Sequence, residues 1–393
     1  MPVLMYFDFV AWTTLIRLAA RESSPRRRRS LYRKLLLQVP LMALFTAVCF
    51  ALDPLLFPAL RRTSVREPVF LVGHARSGTT LAHRLMSADD QRFSAFLYWE
   101  MFAPSLLQKT LVRWIARLDR RFLGDALGRR VRAHEARVFG PSQHIHKMGY
   151  TLAEEDDFVL TWSCASGYWI VQLPYMDELD FYHIDRRPPA SRRRLMNYYR
   201  ECLRRELCFN GGARLHLSKN PVFPGRMESL IECFPDARFV LLYRNPLETI
   251  PSLLKLMKTS WKLRQFSEDR MQRSFAIMVE QSFHSYRYPL EVMVRHPGIR
   301  HAVVEYRDLT SAPRETIARI YAELGLPLTP AYDAWLRAES ARVREHQTTH
   351  RYSLAEFGLS ARVIHERLGD LFARFDWQNG TETPGEETGE KRS

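Results

Sequence analysis

The segment Gly73-His74-Ala75-Arg76-Ser77-Gly78-Thr79-Thr80 holds residue types that can bind a tetrahedral oxyanion. Its glycines allow a tight turn, and successive backbone N–H groups can cradle an anion where a helix begins. Thr79 and Thr80 add hydroxyl donors, and Arg76 adds a fixed charge. The two glycines match the spacing of the nucleotide-hydrolase phosphate loop, GxxxxGK[ST], yet Thr79 stands where the lysine would be. Neither later strand candidate ends in an aspartate that could hold magnesium, since Tyr243 leads into Arg244 and Val304 into Glu305. The pattern is a phosphate loop without its metal apparatus, and no metal site is assigned. Taken alone, the same residues would also suit an ordinary strand-to-helix turn.

A second device lies further along. Arg244-Asn245-Pro246 directly follows the apolar run ARFVLLY, and Ser252 sits eight residues on, within a helical pattern. A strand-end arginine and a serine in the first turns of a helix can converge on a second phosphate at the switch point of a parallel sheet. The plainer alternative is a solvated loop charge and a cap.

These residues need strands and helices to hold them. Short apolar runs at Pro68–Gly73, Leu215–Ser218, Ala237–Tyr243 and His301–Glu305 read as buried strands. Helical spacing follows Thr79, with Leu81, Leu85 and Met86 on one face, and recurs over Phe223–Phe234 and Leu247–Met257. The alternation predicts an α/β fold, a phosphate-loop-like and mostly parallel sheet flanked by helices. Residues 105–210 are helix-like and Arg-rich, and are expected to form an insertion covering the ligand edge of a domain spanning 63–379. The polar tail, 380–393, is expected to be disordered.

The chain has 393 residues, 46% hydrophobic and 26% charged, with 17 Gly and 22 Pro, which excludes collagenous, disulfide-stapled and wholly disordered classes. Its five cysteines show no CxxC spacing and read as reduced, mostly structural thiols. A formal charge of +15 implies an anionic partner. Aromatic and basic residues are not interleaved in any nucleic-acid module, so nucleic acid is not assigned.

Residues 1–62 carry ten Lys/Arg against three Asp/Glu, and Leu35–Leu52 is eighteen residues without a charge. That length is at the lower limit for a bilayer span, and Gln38, Pro40 and Asp53-Pro54 weaken it further. The expectation is a basic, interfacial membrane anchor through residues 35–60; the alternative is an amphipathic arm packed on the domain. As an anchor, residues 1–62 should be removable with the domain left folded.

Several stretches resemble sulfotransferases that use 3′-phosphoadenosine 5′-phosphosulfate (PAPS). PVFLVGHARSGTTLAHRLM resembles the family's 5′-phosphosulfate loop, and FPDARFVLLYRNPLETIPSLL its 3′-phosphate motif. VVEYRDL, with Tyr306, resembles the part near the adenine. HRYSLAEFGLS resembles the C-terminal segment of the bacterial and carbohydrate-type branch. The resemblance runs from Glu67 to Trp377, about four-fifths of the chain, in family order. It implies PAPS as co-substrate, adenosine 3′,5′-bisphosphate as product, and a donor site made of Arg76, Ser77, Gly78, Thr79, Thr80, Arg244, Ser252, Tyr306, His350 and Tyr352. Arg76 fills a slot that is lysine in cytosolic members and arginine in tyrosylprotein members. Lys219 sits where the family places a basic residue assisting the bridging oxygen.

Cytosolic members have a histidine just after that lysine, and here Asn220 stands instead. By analogy with tyrosylprotein sulfotransferases, Glu100 in YWEM becomes the expected base, emerging at the same sheet edge as Arg76 and Lys219. Its rivals are His144 and His146 in QHIHK, and the acidic run Glu154–Asp157, which otherwise reads as a solvated helix start. A metal-independent in-line transfer needs donors for one negative charge, which arginine, lysine and backbone amides supply. The acceptor is a hydroxyl of a lipid, glycolipid, carbohydrate or other small molecule, and membrane proximity tilts toward lipid. A nucleotide kinase and a membrane-associated nucleotide-binding scaffold are the alternative readings. A bacterial origin would place the domain on the cytoplasmic side of the membrane; a eukaryotic one would imply a Golgi-type topology.

Overall fold

The computed structural model describes residues 5–140, 148–345 and 353–377. The expectations for His144, His146, His350, Tyr352 and the tail 380–393 therefore lie outside the described residues.

The chain opens with three helices, α1 (Phe9–Ala20), α2 (Pro25–Tyr32) and α3 (Val39–Leu56), the last two joined through a π-helical segment, Arg33–Gln38. Strand β1 (Val69–Gly73) and helix α4 (Thr79–Ser87) carry the loop between them, and a two-residue strand, β2 (Phe93–Ser94), follows. Helices α5 (Tyr98–Met101), α6 (Leu106–Phe122), α7 (Ala126–Phe139), α8 (Tyr168–Gln172) and α9 (Pro189–Phe209) occupy the region expected to be helical. Then come β3 (Leu215–Lys219), α10 (Met227–Cys233), β4 (Arg238–Tyr243), α11 (Pro246–Lys262), α12 (Glu268–Arg295) and β5 (His301–Glu305). Helices α13 (Tyr306–Ser311), α14 (Pro313–Glu323), α15 (Pro330–Glu345) and α16 (Ala361–Phe375) complete the described chain.

The five strands form one sheet in the order β2-β3-β1-β4-β5, with every pairing parallel. Both faces are buried, which is why β1, and β4 after Arg238, are runs of apolar residues. Phe70, Val72, Phe239 and Leu241 point into one core with α9, α10 and α12. Val69, Leu71, Val240 and Leu242 point into the other with α4 and α14. The order changes direction beside β1, so the ends of β1, β3 and β4 open on a common crevice.

The arm is bound into this domain. Leu15, Leu18, Leu35, Val39 and Phe50 belong to the larger core. Asp53, fully buried, accepts from Arg205 Nε at 2.7 Å, Ser105 Oγ at 2.8 Å and Leu107 N at 2.9 Å, and so caps α6 alongside Ser105. Leaving a buried guanidinium without its carboxylate costs about 3–5 kcal/mol. Deleting residues 1–62 would take this carboxylate and those core side chains from the domain. The continuous helical run Pro25–Leu56 is long and apolar enough to cross a membrane by length and composition. All five cysteines are free thiols.

Candidate active site

The loop is shaped by two close approaches. At Gly73 a Cβ would lie 2.5 Å from Leu242 O, so only glycine lets β1 and β4 pair where the chain leaves the sheet. Gly78 has φ +94°, and a Cβ there would meet Tyr306 Cδ2 at 2.5 Å. The Tyr306 ring is thus seated on Gly78. Arg76 also adopts a left-handed backbone, φ 74°, a conformation that costs a non-glycine residue of the order of 1 kcal/mol and clusters at functional sites.

That backbone turns the Arg76 side chain toward α11, where its Nε donates to Ser252 Oγ at 3.2 Å. Arg244 Nη1 lies 3.5 Å from Arg76 O, and its guanidinium rests 4.3 Å from the centre of the Tyr306 ring. The structure therefore brings together Arg76, Gly78, Arg244, Ser252 and Tyr306, taken from three stretches of sequence. Ser77 Oγ is buried with no hydrogen-bond partner among the described residues, which is unusual for a hydroxyl unless an acceptor or donor arrives with a ligand. Thr79 starts α4 and is mostly buried, while Thr80 is exposed. Sequence reading missed Glu248, whose Oε2 accepts from Arg244 Nε at 2.9 Å; the signal was its position four residues on in the first turn of α11.

Lys219 ends β3 and is 1% exposed. Its ammonium donates to Thr80 Oγ1 at 3.3 Å and faces Glu155 Oε1 at 3.5 Å and Glu154 Oε2 at 3.7 Å. His83 lies nearby, and burial, reinforced by Lys219, lowers its pKa to about 3, so it stays neutral.

Glu100 keeps different company. Its carboxylate is 1% exposed, accepts from Leu97 N at 3.1 Å and lies 3.9 Å from Lys109 Nζ. Burial raises its pKa against the pull of Lys109, and burial likewise lowers that of Lys109. The groups that act on it are Lys109, Glu206 and Arg113, on α6 and α9, rather than Lys219 or Arg76.

The acidic run is not a solvated helix start. Glu154, Asp156 and Asp157 are buried, and the four carboxylates divide into two pairs of tasks. Glu154 and Glu155 face Lys219, as above. Asp156 accepts from Tyr199 Oη and Ser218 Oγ, both at 2.6 Å, and lies 3.4 Å from His216 Nε2. His216 Nδ1 sits 2.9 Å from Glu206. Burial disfavours a charged imidazole, but hydrogen bonds to Asp156 and Glu206 outweigh it and hold the His216 pKa at about 9. Asp157 accepts from Ser166 Oγ and Gly167 N at 2.6 Å, and Asn220 Nδ2 reaches it at 3.2 Å. This lattice fixes the end of β3, and with it the backbone that carries Lys219.

A cavity of about 350 Å³ lies between the segment Arg33–Gln38 and the insertion, lined by Lys34, Tyr98, Phe102, Tyr150, Trp162 and Tyr168. Lys34 Nζ donates to Tyr168 Oη at 2.8 Å. The cavity wall and the acid pair share a short antiparallel contact, in which Leu97 bridges Ala153 and Glu154 N donates to Phe96 O at 3.1 Å.

A parallel sheet with a glycine-turned loop at one strand end, an arginine at the next and a lysine at a third is the framework of a group transferase. The chain belongs to the sulfotransferase family, whose model matches residues 68–330. It is thus an enzyme of sulfuryl transfer. It is 26% identical over 329 residues to the omega-hydroxy-beta-dihydromenaquinone-9 sulfotransferases of Mycobacterium bovis and Mycobacterium tuberculosis, covering 81% of this chain and 77% of theirs. Among solved structures, a Mycobacterium avium sulfotransferase matches with a TM-score of 0.72 at 21% identity, over 95% of this chain and 94% of that one. A Mycobacterium tuberculosis sulfotransferase matches with a TM-score of 0.62 at 18% identity, over 91% of both chains. Both likenesses support the α/β fold.

Proposed function

We propose that the enzyme transfers the sulfuryl group of PAPS to the hydroxyl of an apolar, lipid-class acceptor. The observation that carries the donor reading is the convergence of Arg76, Ser252, Arg244 and Tyr306 on the Gly78 turn, with Ser77 Oγ buried and unsatisfied beside it. In this reading the amides opening α4, with Ser77, Thr79 and Thr80, hold the 5′-phosphosulfate, and Arg244 and Ser252 hold the 3′-phosphate. Tyr306 flanks the adenine. Lys219 neutralises charge growing on the bridging oxygen as the sulfur–oxygen bond breaks.

The proximity of two carboxylates to Lys219 supports a base among them. Removing the acceptor proton needs a general base within reach of the reacting centre. Glu155, about a third exposed and 3.5 Å from Lys219, meets that requirement, and Glu154 stands behind it. Glu100 is assigned instead to holding Lys109 inside the insertion. The acceptor reading rests on the aromatic cavity, whose wall adjoins the acid pair, and on the relatives named for a hydroxylated dihydromenaquinone.

The first test is thermal. Adenosine 3′,5′-bisphosphate should raise Tm without magnesium, by linkage with the folded state, and the shift should shrink in Arg244→Ala. A shift that needs magnesium would favour kinase chemistry. Labelled PAPS incubated with fractionated lipids and glycans then identifies the acceptor class.

A further inference from the structure

Helix α3 has two unlike faces. Val39, Thr46, Cys49, Phe50 and Asp53 turn inward, where Asp53 is tied to Arg205 and Thr46 Oγ1 accepts from Gln108 Nε2 at 3.1 Å. Leu37, Leu41, Leu44, Val48, Leu52 and Leu55, three or four residues apart, form an outward stripe, with Leu55 69% exposed. Helix α6, packed against α3, carries a second stripe at Leu111, Ile115 and Phe122, the last also 69% exposed. Helix α7, packed against α6, carries a third at Leu127, Val131 and Val138. Between the end of α3 and α6 runs a groove of about 410 Å³, floored by Leu56, Phe57, Trp114 and Phe209 and edged by Arg113 and Arg117. Contiguous apolar surface of this kind marks an interaction site.

The charges around it select the partner. Residues 106–139 hold eight arginines besides the buried Lys109, against three Asp/Glu, and residues 26–33 expose Arg26, Arg28, Arg29 and Arg33 with no acid among them. A second copy of the chain would bring two arginine-rich rims together, whereas an anionic lipid surface is complementary to both the apolar stripes and the rims. Crossing the bilayer would require α3 to leave Arg205 and Gln108, breaking a buried ion pair, so the helix is held along the protein surface.

We propose that α3 and the α6–α7 hairpin together seat the protein on one leaflet of a bilayer containing anionic lipid, α6 entering the interface beside α3. The arm alone is then only half of the membrane contact. This surface does not depend on which acceptor the enzyme uses, and its test reads membrane binding rather than turnover.

Full-length protein should float with vesicles of phosphatidylcholine containing 30% phosphatidylglycerol, bind pure phosphatidylcholine at least tenfold less, and be released by alkaline carbonate. Ile115→Glu with Phe122→Glu, which leaves α3 intact, should weaken vesicle binding at least tenfold while keeping Tm and its response to adenosine 3′,5′-bisphosphate. Wild-type flotation of that variant, or retention in carbonate, would overturn the proposal in favour of an α3 anchor or span. A vesicle-free dimer that the variant dissociates would overturn it in favour of self-association. Should the double variant unfold, quenching by brominated phosphatidylcholine decides: it should fall in Trp114→Phe, and an unchanged value would show that α6 stays out of the lipid.

Discussion

The proposed donor end and the proposed acceptor end of this crevice are built on different plans. Around the proposed donor site, Arg76, Arg244, Lys219 and Tyr306 lie within three residues of a strand end and the sheet delivers them to one edge, while Ser252 comes from α11. Around the acceptor, Glu154 and Glu155 come from an irregular segment whose place depends on Tyr199, Ser166, Asn220 and His216 holding the next two acids. The first plan is local and tolerant of change elsewhere; the second is a long-range lattice in which few members can be altered alone.

Substitutions can separate the two plans. The largest effect is expected at the acid pair: Glu155→Gln should lower kcat by about 10²–10⁴ with donor affinity and Tm retained. Glu100→Gln should do the opposite, lowering Tm because Lys109 is left buried beside a neutral partner while kcat stays within a few-fold. Loss of turnover in Glu100→Gln with an active Glu155→Gln would return the base to Glu100. Next comes Arg76→Ala, which removes a preorganised cation and its contact with Ser252; kcat/KM should fall about 10²–10³-fold, roughly 2.7–4 kcal/mol. Near-normal turnover would remove the loop from the mechanism.

Arg244→Ala tests the remote phosphate. It should raise the KM for PAPS by about tenfold or more with kcat little changed, since the interaction is equal in ground and transition states. The reverse pattern would place Arg244 at the reacting centre.

The lattice has its own signature in pH. The imidazolium of His216 is favoured by folding, its pKa rising from the usual 6.5 to about 9. Its stabilisation is complete below about 6.5 and fades as pH rises through 9. Tm should therefore decline from neutral pH to about 9.5 in the wild type, and His216→Gln should start lower and flatten that decline. A parallel decline in the variant would exclude the histidine as its source. The smallest effect is expected at Glu248→Gln: removing the carboxylate that competes for Arg244 should lower the PAPS KM about two- to fivefold, the scale of an exposed ion pair. A raised KM would mean that Glu248 orients the guanidinium instead.

The same contrast explains what could be read in advance. The predicted strands at Pro68–Gly73, Leu215–Ser218, Ala237–Tyr243 and His301–Glu305 lie within a residue or so of β1, β3, β4 and β5, because buried parallel strands are continuous apolar runs. The glycine loop and the strand-end arginine were equally visible, since their chemistry is local. What escaped was pairing across distance. Nothing near Asp53 in sequence points to Arg205, and the EEDD run looks solvated until Tyr199, Ser218 and Lys219 are seen to surround it. The pairing of Glu100 with Lys109, nine residues on, was equally invisible, since nothing in YWEM points to a lysine in the next helix.

The ion pair between Asp53 and Arg205 also has a consequence in time. Its partners are 152 residues apart, and at about 5–20 residues per second a ribosome needs roughly 8–30 s to bring out the second after the first. During that interval α3 can meet α6, which follows it by some fifty residues, but not Arg205 and α9. The buried charge of Asp53 thus finds its guanidinium long after its own synthesis, and the inner face of α3 is completed only after the chain as far as α9 has been made.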